Sequence, residues 1–190
     1  MKREVAVRRA IHMLLALAPV YYLLPEDLPY VGLRRWVLLI AFIAGILGFE
    51  AFRLWRGFTV LGLRPHETDQ IASHAWAATA IVLVLWLFPH DIATAALVGM
   101  AFVDPLAGEM RSAKLRMRMI VGVSSIAYLC LAIVALLVWN ERLLPEILLL
   151  GIVGMLTAIP SEYFKFRHID DDFLMAVIPA VAMLAASLVV

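Results

Sequence analysis

The sequence predicts an all-α, polytopic membrane protein, with about seven transmembrane helices in one bundle and a single integral-membrane domain over residues 1–190. Three observations carry that expectation. Hydrophobic residues make up 64% of the chain and charged residues 16%. A soluble domain carries about 45–50% and about 25%, so the surplus apolar surface must face something other than water. The mean hydropathy is +0.94. The apolar runs are of helix length and do not alternate, which excludes an outer-membrane barrel.

The expected spans follow one another with short connections. The first, Ala10–Leu24, holds His12 and Pro19 and is the one expected to tilt or cross only in part. It lacks a small-residue cleavage site and runs into Pro25-Glu26-Asp27, so it reads as a helix rather than a signal peptide. The second, Trp36–Trp55, carries Glu50 and Arg53 close to its end, and the third, Ile71–Phe88, follows a polar loop. The fourth, Ile92–Met110, is apolar apart from Asp104 and Glu109, and Pro105 and Gly108 are expected to let its backbone open onto a polar cavity. The fifth, Met119–Trp139, contains the single cysteine, Cys130, read as a small buried hydrophobe. One cysteine provides neither a disulfide framework nor a thiolate metal site. Leu143–Pro160 and Phe173–Val190 complete the set. Trp36, Trp55, Trp86 and Trp139 fall near predicted ends, where interfacial tryptophans anchor a helix.

Alternating these spans sorts the charges. With the N-terminus on side one, that side holds Lys2, Arg3, Arg8, Arg9, Arg53, Arg56, Arg64, Arg111, Lys114, Arg116, Arg118, Lys165 and Arg167. Side two keeps only Arg34, Arg35 and Arg142. The positive-inside rule makes side one cytoplasmic. Most of the acids share it: Glu4, Glu50, Glu67, Asp69, Asp104, Glu109, Glu162, Asp170, Asp171 and Asp172. One face with interleaved acids, bases and histidines is expected of a membrane enzyme with a cytosolic active site. A pore would spread polar residues through its depth.

Five segments on that face carry the candidate chemistry. Glu4, Arg8 and His12 share one helical face, which suits a phosphate or headgroup and equally a basic anchor. Glu50 and Arg53 fit a local ion pair or a site contribution. The loop Arg64-Pro65-His66-Glu67 leads to Ser73 and Trp76, as a polar surface site or a solvated connector would. Asp104 and Glu109 are hard oxygen ligands suited to Mg²⁺, with Arg111 and Lys114 placed to bind phosphates. The plainer alternative is an Asp104–Arg111 ion pair. Finally, Glu162 precedes Asp170-Asp171-Asp172. Helix capping explains one of these aspartates; three carboxylates in a row point to metal or nucleotide.

No phosphate-binding lysine loop, dinucleotide glycine fingerprint, zinc-protease motif or nucleophile elbow is present. No basic stripe with interleaved aromatics suggests nucleic acid. In order and spacing, Glu4…Arg8-Arg9…His12, Glu50…Arg53, Arg64-Pro65-His66-Glu67, Asp104-Pro105-Leu106-Ala107-Gly108 and Glu162…Asp170-Asp171 resemble the CTP-dependent polyprenol kinases. That family includes dolichol kinase, phytol kinase and the yeast-type diacylglycerol kinase, and it is similar to the phosphatidate cytidylyltransferases. Val103 stands where the family usually has glycine, and Asp172 where it has asparagine. Around Lys114, Gly122 and Ser124 no acid matches the family's Glu-Gly-Ser element.

The resemblance implies a lipid kinase moving the γ-phosphate of CTP, with Mg²⁺, to the hydroxyl of a long isoprenoid alcohol at the cytoplasmic face. Metal would fall to Asp104, Asp170 and Asp171, with Glu109 in reserve. Phosphates would fall to Arg64, Arg111 and Lys114, and the alcohol proton to His66 or Glu67. His12, Glu50, Arg53, Ser73 and Glu162 are further polar candidates. Two alternatives stay open: a cytidylyltransferase making a CDP-activated lipid, and a non-catalytic membrane homologue or carrier.

Overall fold

The structure, a computed structural model, describes residues 12–29, 32–60, 63, 67–139, 141–163 and 169–189. Arg64 and His66 therefore lie outside the described residues, as do Glu4, Arg8, Arg9, Lys165 and Arg167. The described residues form α1 (Trp36–Arg56), α2 (Ser73–Leu87), α3 (His90–Ser112), α4 (Met117–Trp139), α5 (Leu144–Tyr163) and α6 (Asp171–Ser187). Before them runs the apolar stretch His12–Leu23, of which Leu15–Leu23 is a 3-10 helix. The fold is all-helical, and the one strand-like feature among the described residues is an isolated bridge between Asp27 and Arg34.

Four of these helices, α1, α3, α4 and α5, are long and apolar enough to cross a membrane, fewer than the seven expected. The reasons are local. Pro19 lies inside the first segment and supplies no N–H, and the tighter 3-10 form replaces the expected α-helix. Helix α2 has 15 residues and stops at Phe88-Pro89, so it rises only about 23 Å against the ~30 Å hydrocarbon core. Helix α6 has 17 residues. A second expectation is also corrected: α3 runs unbroken through Pro105 and Gly108. Close packing of the fully buried Met100, Ala101, Val103 and Ala107 holds the helix where proline removes one hydrogen bond. Cys130 is exposed rather than buried, because it lies on the outward side of α4.

Successive helices run in opposite directions, as the contacts at their ends show. At one end Tyr22 donates to the carbonyl of Leu85 (2.9 Å), His90 meets Glu141 (2.8 Å) and Trp139 donates to Thr94 Oγ1 (2.9 Å). Arg142 pairs there with the buried Asp91. At the other end gather His12, the end of α1, the start of α2, the end of α3, the end of α5 and the start of α6. Alternation thus brings residues far apart in sequence to one face.

Helix α3 is the axis. In its most apolar window 67% of residues are buried, against 17% for α1, which packs extensively only on α2. The 3-10 helix, α4 and α6 surround α3, and α6 also packs on α2 and α5. Tyr128 of α4 enters the core fully buried. It does so because Gly99 and Gly154 leave room: a Cβ on Gly99 would lie 2.3 Å from Tyr128 Cε2, and one on Gly154 3.1 Å from Cε1. Gly99→Ala is therefore expected to destabilise the bundle by about 1–3 kcal/mol through overpacking. Thermal unfolding in detergent checks it, with Gly99→Ala/Tyr128→Leu expected to recover most of the loss.

Candidate functional site

The site is built from the bundle end where six segments meet. His12 lies between two carboxylates, its Nε2 3.8 Å from Asp104 Oδ2 and its Nδ1 3.9 Å from Asp172 Oδ2. Ligand atoms of the three residues all lie within 4.8 Å of one another. Helix periodicity explains the convergence. On α6, Asp172 shares its face with the buried Met175, Ala176, Pro179, Ala180 and Met183, so it turns inward. On α3, Asp104 continues the face of the buried Leu97, Met100 and Ala107. Asp170 instead serves as the N-cap of α6, where its Oδ1 accepts the N–H of Asp172 (3.2 Å).

Arg111 ties a third carboxylate to the group. It forms an ion pair with the buried Glu162, and its Nη2 is 3.9 Å from Asp104 Oδ1. Helix geometry brings this about, because Arg111 lies about two turns beyond Asp104 on α3. Glu162 Oε2 is buried without a hydrogen-bond partner among the described residues.

A cavity of about 230 Å³ opens from this group. His12, Ser73, His74, Asp104 and Asp172 line it on the polar side; Leu15, Phe42, Ile46, Ala77, Ala78 and Ile81 supply apolar walls. The loop beside it is held by a buried ion pair. Arg53 donates from Nε to Glu50 Oε2 (2.9 Å) and from Nη2 to Oε1 (2.7 Å). The same guanidinium reaches the carbonyls of Thr68 (3.2 Å) and Gln70 (2.8 Å). Glu50 Oε1 also accepts the N–H of Ala72 (2.7 Å), and Oε2 lies 3.4 Å from His74 Nε2. The pair thus fixes the start of α2 against the end of α1, and His74 with it.

The sequence candidates distribute unevenly. Asp104 and His12 are in the central group, Ser73 lines the cavity, and Arg111, paired with Glu162, adjoins the group through Asp104. Glu50 and Arg53 sit beneath as the staple. Glu67 is buried and accepts the N–H of Ser73 (3.2 Å), which makes it a cap for α2. Asp170 and Asp171 form a second carboxylate group with Asp172, but neither lines the cavity. Glu109 is exposed, about 140° around α3 from Asp104, so it does not join the central group. Lys114 is exposed in the turn after α3, at φ 56°. Sequence reasoning includes Asp172 only as part of the Asp170–Asp172 carboxylate run, gives the ligand roles to Asp170 and Asp171, and assigns no site role to His74. The stripe Asp172, Met175, Ala176, Pro179 is the readable signal for Asp172, since it points one acid of the three into the bundle.

The donor set fits a hard divalent cation. Mg²⁺ is commonly held by one or two carboxylates and completes its shell with water and phosphate oxygens; Asp104 and Asp172 are two carboxylates converging from separate helices. The imidazole adds a nitrogen that softer metals would also accept. Comparison with protein-family profiles, with curated proteins and with solved structures finds no match to this chain.

Proposed function

We propose that the chain is a membrane phosphotransferase that moves the γ-phosphate of a nucleotide to the hydroxyl of a long-chain isoprenoid alcohol. The observation that carries the reading is the joining of a His12–Asp104–Asp172 group to a cavity with apolar walls. A lipid alcohol has that division: one polar reacting end on an apolar body. CTP as donor rests on the family resemblance. In this reading the other helical segments also enter the membrane, and the site faces the cytoplasm with the basic residues.

Phosphoryl transfer needs positioning and charge neutralisation more than covalent chemistry. Asp104 and Asp172 would hold Mg²⁺, which supplies neutralisation of the phosphate oxygens. His12, 3.8 Å from Asp104 and 3.9 Å from Asp172, would accept the hydroxyl proton. The hydroxyl oxygen then bonds to the γ-phosphorus as the bond to the nucleoside diphosphate breaks. Arg111, with its side chain 39% exposed, reaches toward solvent and is placed to meet the nucleotide's phosphates.

Purified protein in lipid nanodiscs, with Mg²⁺, a panel of prenols and CTP labelled at the γ-phosphate, tests this. Labelled lipid phosphate is expected. Label entering lipid from the α-phosphate instead would identify a cytidylyltransferase. No label from either position would remove the enzymatic reading in favour of a carrier.

A further inference from the structure

The cavity is polarised along the helices that line it. On α2 the lining runs from Ser73 and His74 through Ala77 and Ala78 to Ile81, a rise of about 12 Å away from the site face. On α1 it runs from Ile46 to Phe42 in the same direction, further from the Glu50 staple. Both helices turn a polar end to the His12–Asp104–Asp172 group and an apolar length to the bundle's depth. At about 230 Å³ the cavity is smaller than the roughly 300–1,000 Å³ that encloses a drug-sized ligand. It can hold the reacting end of a long-chain alcohol but not the whole molecule, so the remainder must leave sideways.

The side is identified by packing. The 3-10 helix contributes Leu15, with His12 just ahead of it, and α1 contributes Phe42 and Ile46, yet among the described residues neither helix packs extensively on the other. Phe42 is 46% exposed. Its ring stands between the cavity and the outer surface of the bundle.

We infer that the gap between α1 and the 3-10 helix is the lateral passage for the lipid acceptor's chain, and that Ala77 and Ala78 set the thickness of chain admitted beside it. The inference rests on the lipid-acceptor reading and adds the route and the residues that select the chain. The two alanines are nearly buried and carry the smallest side chains on that wall. Where they stand, a larger side chain would fill the space the first branched carbons need.

The test separates the passage from the chemistry. Geranylgeraniol carrying a diazirine on its chain is photolysed with the full-length protein in nanodiscs, and labelled peptides are identified by mass spectrometry. No turnover is required. Label is expected on the α1 peptide at Phe42 or Ile46. Ala78→Leu is expected to lower that label, and to raise KM for geranylgeraniol, by about tenfold or more, since pocket volume discriminates on that scale. Geraniol, with its shorter chain, should be affected less. Phe42→Ala adds no bulk and is the second variant; it should move the label toward Ile46. Leu47→Ala, on the exposed side of α1, is the control expected to change neither. Label confined to helices that do not line the cavity, or equal losses for both alcohols in Ala78→Leu with normal unfolding behaviour, would overturn the passage while leaving the kinase reading intact. Label at Phe42 that falls in Ala78→Leu, without phosphorylation of any alcohol, would uphold the passage and overturn the kinase.

Discussion

Asp104→Asn is expected to lower lipid phosphorylation by about a thousandfold or more. The change keeps the side chain's shape and removes its charge. Neutralising transition-state charge with a bound cation contributes several kcal/mol, and about 4 kcal/mol corresponds to a thousandfold in rate. Stability should barely move, because Arg111 retains its pair with Glu162 and the side chain is only partly buried. Asp172→Asn should behave alike, as the second carboxylate facing His12. Raising Mg²⁺ should recover part of the lost rate in both variants, a response that damage to the fold would not give. The measurement is labelled-phosphate transfer across a Mg²⁺ series, with thermal unfolding alongside. Activity within tenfold of wild type would remove Asp104 from the site.

The second large effect concerns the fold. Arg53→Met is expected to destabilise the protein by about 3–5 kcal/mol, the range seen when one partner of a buried ion pair is removed. Arg53 and Glu50 are 1% and 2% exposed, so water can replace little of what is lost. Glu50 would keep the Ala72 N–H and the approach of His74 but lose two charge-assisted bonds. The carbonyls of Thr68 and Gln70 would lose the Arg53 bonds as well. Glu50→Gln/Arg53→Met removes the stranded charge and should be markedly milder than Arg53→Met alone. Equilibrium unfolding in mixed detergent micelles measures all three proteins; a single variant no worse than the double would show that the pair does not staple the loop.

Much of the architecture is legible in the sequence, for identifiable reasons. Helix positions follow from apolar runs bounded by Pro89, the Ala113–Arg116 turn and Asp170, and the alternation of basic residues matches the antiparallel order of the helices. Asp104 can be singled out because a carboxylate in an apolar run is costly. Partner choice is harder to read. Asp170, Asp171 and Asp172 look equivalent as letters, and only the helical register assigns one to the cap and one to the interior. Glu67 reads as a candidate base because it follows His66, and what the letters do not show is that its buried carboxylate accepts the orphan N–H of Ser73. Glu109 looks like a ligand through nearness in sequence to Asp104, which five helical positions convert into distance around the helix. Span counting falters on Pro19 and on the brevity of α2, because hydropathy records composition and not helix type or length.

The three residues of the central group also impose an order in time. His12 and Asp104 leave the ribosome well before Asp172; at about 5–20 residues per second, the chain between the two aspartates takes roughly 3–14 s to make. Asp104 must wait through that interval without its second carboxylate neighbour or any cation the two would share. Arg111 follows within about a second and is already on the same helix, two turns away. The Arg111 guanidinium, 3.9 Å from Asp104 in the finished protein, is then available as an escort for that charge during biosynthesis. A chain ending before α6 would have Asp104 and its escort, and no site.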